Sequence, residues 1–170
     1  MIQAKFTGDK ITSGSTEAFS LFEKSSFGEK ISGRIEYSSF EALFLVETDK
    51  MQVFSNSKSL SIDSIIKKLK RKDKNVESKF LVYSNLRKKG YVLKTALKFG
   101  ADFRVYHKGT RPGKAHAPWL LFIAKDSKPL QWNEFAAKNR IAHSTNKKLM
   151  IALIDEESSI SYYQVDWMKP

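Results

Sequence analysis

Trp119-Leu120-Leu121-Phe122-Ile123-Ala124 is a near-continuous apolar run, and Leu149-Met150-Ile151-Ala152-Leu153-Ile154 is a second. Runs of this length read as strands buried on both faces. Between them Trp132 to Ala142 has a helical pattern, with Asn133 as a candidate cap. Working outward, Asp102-Phe103-Arg104-Val105-Tyr106 alternates as a strand, Tyr91 to Lys94 is another, and Lys98 to Asp102 is a turn. Thr110 to Lys114, containing Arg111-Pro112-Gly113, is a loop. Val82 to Lys89 is helical, with Val82, Tyr83 and Leu86 on one face and Gly90 at its end. Past the second run, Asp155 to Ser159 is a turn and Ile160 to Trp167 an alternating final strand. These elements describe a mixed sheet flanked by helices.

The first half reads as a strand over Ile2 to Phe6, a helix around Glu17 to Lys24, a turn at Gly28, a helix over Phe40 to Thr48 and a strand-like Met51 to Phe54. Ser38 or Ser39 is placed to cap the second helix. Ile62, Ile65, Ile66 and Leu69 recur at helical spacing ahead of Lys67-Lys68-Leu69-Lys70-Arg71-Lys72-Asp73-Lys74-Asn75. That basic run carries no interleaved aromatic, so it reads as a solvated helix end and linker rather than a nucleic-acid patch. The expected class is α/β (α+β). Residues 1–76 form a small mixed α/β scaffold or interface domain, and residues 77–170 a domain with a central mixed sheet.

A chain of 170 residues can bury one good core or two small ones. At 41% hydrophobic it is too apolar for general disorder. It has no cysteine, which removes disulfides, thiolate nucleophiles and zinc ribbons, and agrees with a reducing, cytoplasmic setting. Its longest apolar runs fall far short of the ~20 residues that span a bilayer, and its start lacks a signal-peptide core. The formal charge is +12, of which residues 1–76 contribute +3 and residues 77–170 contribute +9. Such a surplus points to a polyanionic partner, nucleic acid before an anionic membrane.

No G-x-x-x-x-G-K-[ST] and no G-x-G-x-x-G occurs, so nucleotide-dependent chemistry has no support. A metal-dependent nuclease would use Asp102 with Asp126-Ser127-Lys128, the acids holding a cation and the lysine orienting water. Lys125 to Pro129 is also an ordinary turn composition, which favours the plainer reading. A metal-free route remains, because RNA carries its own nucleophile. It needs a base for the 2′-hydroxyl proton, an acid for the 5′-oxygen and a cation for the phosphate. Tyr106 at a strand end, His116 at a loop exit and Lys147 at a helix-to-strand junction would meet at one sheet edge. Singly, each is more simply a packed tyrosine, a surface histidine and a solvated lysine.

Together with their surroundings they fall into a pattern. Tyr83-Ser84-Asn85-Leu86-Arg87-Lys88-Lys89-Gly90-Tyr91-Val92-Leu93-Lys94, Lys98-Phe99-Gly100-Ala101-Asp102-Phe103-Arg104-Val105-Tyr106, and Arg140-Ile141-Ala142-His143-Ser144-Thr145-Asn146-Lys147-Lys148-Leu149 resemble segments of the archaeal tRNA-splicing endonucleases. His116 after a basic Gly/Pro loop and the late pair Tyr162-Tyr163 fit the same resemblance, which covers about residues 80 to 167, and Glu41 to Glu47 resembles the family's N-terminal helix. It implies a nuclease-like second domain, 77–170, that cuts precursor tRNA at bulge–helix–bulge motifs and leaves 2′,3′-cyclic phosphate and 5′-hydroxyl ends. Carried over by position, Tyr106 is the general base, His116 the general acid and Lys147 the stabiliser of the pentavalent phosphate. A free tyrosine ionises near pH 10, so a tyrosine base needs cations close by, for which Lys108, Lys114 and Lys147 are candidates. Arg140 matches a base-clamping arginine, and Trp167 is its candidate partner, with a sheet-edge core aromatic as the equal alternative. Asn146 stands where the family usually has arginine, and His143 reads as a structural hydrogen-bonding residue.

The resemblance implies no cofactor and no metal. It implies an assembly, a homotetramer or a heterotetramer with a related structural subunit, with Asp155-Glu156-Glu157 inserting into a basic pocket of a neighbouring subunit. Two other readings stand beside it: a non-catalytic structural or RNA-binding subunit of the same assembly, and the metal-dependent nuclease using Asp102, Asp126 and Lys128.

Overall fold

The computed structural model describes residues 1–8, 10–168 and 170. They fold as two units, Met1–Ser84 and Asn85–Pro170, each built on its own sheet. In the first, β1 (Ile2–Thr7), β2 (Lys10–Ser13), β3 (Glu29–Ile31), β4 (Arg34–Tyr37), β5 (Met51–Ser55) and β6 (Lys58–Leu60) lie in the order β3-β4-β2-β1-β5-β6. Only β1 and β5 pair in parallel. The helices are α1 (Thr16–Ser25), α2 (Ser39–Glu47) and α3 (Ile62–Lys70), capped by the hydroxyls of Ser15, Ser38 and Ser61.

The expected strands and helices of this half are present, and the structure adds β2, β3, β4 and β6. Each is only three or four residues long, too short to show a period of two. Their turns carry the missing signal: Ser32-Gly33 and Asn56-Ser57 all have positive φ, as two-residue hairpin turns require. Glu41 is 3% exposed and completes a capping box, Oε2 accepting from Ser38 N–H. Its Oε1 accepts from Gly28 N–H at 2.9 Å, which pins the turn before β3 to α2. Gly28 has φ +77°, and a Cβ there would collide with Ile35 and sit 2.9 Å from the Glu36 carbonyl.

α4 (Val76–Lys88) begins six residues earlier than its apolar face suggested and ends in a Schellman motif: Tyr91 N–H bonds Leu86 O, Gly90 N–H bonds Arg87 O, and Gly90 has φ +93°. The second unit's sheet has the order β11-β10-β9-β8-β7, with β7 (Val92–Ala96), β8 (Ala101–Tyr106), β9 (Trp119–Lys125), β10 (Lys148–Ile154) and β11 (Ile160–Val165). It is mixed, as expected: β9 and β10 are parallel over seven residue pairs, and the remaining neighbours are antiparallel. The two apolar runs are thus central strands, joined by α5 (Trp132–Ser144), which packs on both. Leu120, Phe122, Ala142 and Leu149 form the core between them, with Phe135 and Ile141 against it. Truncating Leu120 or Leu149 to alanine would cost about 2–5 kcal/mol.

Three local expectations are corrected. Gln131, not Asn133, precedes α5 in extended conformation; the Asn133 carboxamide instead accepts from Glu134 N–H inside the first turn. The turn before β8 is a single 3₁₀ turn, Leu97–Phe99, closed by Gly100, rather than Lys98 to Asp102, and Asp102 lies in β8 as its strand reading expects. The last strand stops at Val165, two residues before Trp167. Among the described residues no helix is long and apolar enough to cross a membrane.

Candidate active site

β8 is antiparallel to β9, and β9 parallel to β10, so β8 ends where β9 and β10 begin. Tyr106 is the last residue of β8, His116 lies three residues before β9, and Lys147 immediately precedes β10. Strand order alone therefore carries the three to one end of the sheet. They line one cavity of about 300 Å³ with Phe99, Arg104, Gly113, Lys114, Ala115 and Ala117. Among the described residues the lining holds one arginine, two lysines, one imidazole and no carboxylate.

Tyr106 is 4% exposed, its ring packed with Val92 and Ala117. Among the described residues its hydroxyl has no hydrogen-bond partner. His116 is exposed, at the end of a loop drawn in by the Pro112–Ala115 bridge and by buried Ala117. Lys147 is placed by the backbone. Asn146 N–H bonds His143 O at 3.0 Å, Lys147 N–H bonds Ala142 O at 2.8 Å, and Asn146 has φ +55°. This is a second Schellman motif, with asparagine at the left-handed position and Lys147 directly after it. The arginine-to-asparagine departure thus falls on a position whose backbone asparagine tolerates. Lys147 Nζ lies 3.4 Å from the Thr145 carbonyl and 6.0 Å from the Phe99 ring centre, with no carboxylate on it among the described residues.

Of the cations expected near Tyr106, Lys114 and Lys147 line the cavity, whereas Lys108 Nζ sits 5.5 Å over the Tyr91 ring. Arg104 stands in its place and was not singled out from sequence. The signal was available, because residues two apart on a strand share a face and Arg104 precedes Tyr106 by two.

Arg140 is exposed near the end of α5 and does not line the cavity. Trp167 is 53% exposed rather than a core aromatic, and stacks on His143 at 5.1 Å with ring planes 22° apart. His143, expected as a structural hydrogen-bonding residue, is exposed and stacks on Trp167. It follows Arg140 by one helical turn, so Arg140 is the stacked pair's neighbour on the helix surface. Asp155, Glu156 and Glu157 form the exposed β10–β11 turn at the other end of the sheet, ordered by Asp155 Oδ1 accepting from Ser159 N–H at 2.8 Å.

Asp102 and Asp126 also lie toward that far end. The Asp102 carboxylate accepts from Ile123 N–H at 2.9 Å, while Asp126 and Lys128 are exposed in the turn after β9. Among the described residues no three His, Asp or Glu side chains gather into a metal-binding group. Elsewhere in this unit burial pushes the Tyr162 hydroxyl up to about 12, and that hydroxyl donates to Asn85 Oδ1 at 2.9 Å.

Residues 76–162 match the family model described as tRNA intron endonuclease, catalytic C-terminal domain, and residues 2–66 match the tRNA intron endonuclease, N-terminal domain. A protein of Pyrococcus abyssi named tRNA-splicing endonuclease is 35% identical over 170 residues, covering 99% of this chain and 98% of that one. Proteins of the same name from Methanothermobacter thermautotrophicus and Nanoarchaeum equitans are 36% identical over 88% of this chain and 87% of theirs, and 39% identical over 76% and 87%. With both domains matched and the cavity residues inside the catalytic one, the chain belongs to the tRNA intron endonuclease family.

Proposed function

We propose that the protein excises introns from precursor tRNA, cutting at bulge–helix–bulge motifs without a metal ion. One observation carries this reading: Tyr106, His116 and Lys147 line one cavity that, among the described residues, holds three basic side chains besides the imidazole and no acid. Tyr106 removes the 2′-hydroxyl proton, and the freed 2′-oxygen attacks the adjacent phosphorus. Lys147 stabilises the charge of the pentavalent phosphate. The P–O5′ bond then breaks, and His116 protonates the departing 5′-oxygen. The products are a 2′,3′-cyclic phosphate and a 5′-hydroxyl. Arg104 and Lys114 add positive charge to the cavity that receives the phosphate. Arg140, beside the His143–Trp167 stack, is positioned to hold a splayed bulge base by cation–π contact, with Trp167 as its partner. This work belongs to the domain assigned to residues 77–170, and residues 1–76 serve as scaffold.

The test is cleavage of a bulge–helix–bulge RNA in EDTA. Full activity is expected; loss in chelator with recovery in magnesium would reject the mechanism and favour the Asp102, Asp126, Lys128 alternative. If the RNA is bound but never cut, the chain acts instead as a binding subunit. Two cut sites on one substrate require two active sites, so a tetramer is expected, with Asp155-Glu156-Glu157 at a subunit contact. Light scattering checks this, and a monomer that cleaves both sites would refute it.

A further inference from the structure

Arg104 enters the cavity from β8, on the same face as Tyr106 and two residues before it. Its Nε–H donates to the Thr95 carbonyl at 3.2 Å, which fixes the plane of the guanidinium. That is its only polar partner among the described residues; no carboxylate pairs with it, and none lines the cavity. A strand-bracing arginine needs no more than the Nε contact. Its two terminal amino groups make no hydrogen bond among the described residues, and Arg104 lines the cavity together with Tyr106, His116, Lys114 and Lys147. Arginine differs from lysine in offering parallel N–H donors that match two oxygens of one phosphate.

We infer that Arg104 is a substrate-binding residue that holds the non-bridging oxygens of the phosphate at the cleavage point. The assignment rests on the cavity being the site of RNA cleavage. Lys147 offers that phosphate a point charge, and Arg104 offers a fork whose orientation is set by Thr95. Arg104 thereby fixes how the phosphorus is turned toward the 2′-oxygen and the departing 5′-oxygen, which a single ammonium cannot do.

The experiment uses the full chain and a bulge–helix–bulge RNA with 2′-deoxynucleotides at both cut positions, so that binding is measured without cleavage. Dissociation constants are taken across a range of KCl for wild type, Arg104→Met and Arg104→Lys, with Arg104→Gln as replacement should the methionine variant not fold. Loss of one phosphate contact lowers the slope of log Kd against log salt by about one. That drop is expected for Arg104→Met, and Arg104→Lys, which keeps the charge, retains the wild-type slope. On the cleavable RNA, single-turnover cleavage by Arg104→Met falls about 10–100-fold, with only part of the rate restored in Arg104→Lys. A purely structural Arg104 leaves the salt slope unmoved, and an unchanged slope overturns the assignment whatever the rate does. Failure of the wild type to cleave counts against the proposed reaction, while the slope still decides the phosphate contact.

Discussion

Glu41 in the first unit and Arg104 in the second are both charged side chains held by the fold, and their surroundings differ in kind. Glu41 is closed off by two backbone N–H donors, from Gly28 and Ser38, inside a helix cap. Arg104 makes one backbone contact and then faces, with Lys114 and Lys147, a cavity without an acid. A buried polar group that finds all its partners within the chain stabilises that chain. One left with open donors is set up for something from outside. The first of these charges is thus satisfied within the fold, and the second remains available at a cavity.

The largest test of this contrast is His116→Ala. The residue is exposed, so stability should stay near wild type while cleavage slows roughly 10²–10⁴-fold and RNA binding is nearly kept. Equal loss of binding would make His116 a substrate contact instead. Gly28→Ala should do the reverse. With φ +77° and no room for a Cβ, it should destabilise the protein by about 2–4 kcal/mol in chemical unfolding, while the rate per folded molecule is unchanged. A neutral effect on stability would show that the Gly28–Glu41 clasp matters little.

The smallest effect separates the units by pH. Burial raises the Tyr162 hydroxyl from 10 to about 12, so the fold prefers the neutral phenol. That preference contributes fully below pH 10 and is lost as pH climbs from 10 to 12. Tyr162→Phe should therefore flatten the alkaline fall in the unfolding midpoint. The residual fall belongs to Tyr37 of the first unit, raised by burial and then by the Glu41 charge. An alkaline limb identical to wild type would remove Tyr162 as a source.

The sequence was most readable where chemistry and periodicity agreed. Leu120–Phe122 and Leu149–Ile154 announce buried strands because every position is apolar, and the strand order around them delivers Tyr106, His116 and Lys147 to one end. The first unit was harder, since Glu29–Ile31 and Lys58–Leu60 are three-residue edge strands whose pairing is set by turn conformation. Arg104 is harder to read, because an alternating strand ordinarily turns its charged residues to solvent, although its spacing puts it on the face of Tyr106. Trp167 lies beyond the regular elements, so its stacking on His143 of α5 depends on the path of the chain after Val165.

Ligands in open α/β sheets ordinarily sit at the carboxyl ends of the strands, where helix amino termini lend them positive charge. The cavity here lies at the amino ends of β9 and β10, beside the last turn of α5, whose carbonyls carry the negative end of the helix dipole. The helix termini therefore lend a phosphate no positive charge there, and the attraction falls to the cationic side chains of the lining. Such a site is erasable: a handful of substitutions would silence it and leave the scaffold whole, so gene duplication could yield an inert sister chain of the same shape.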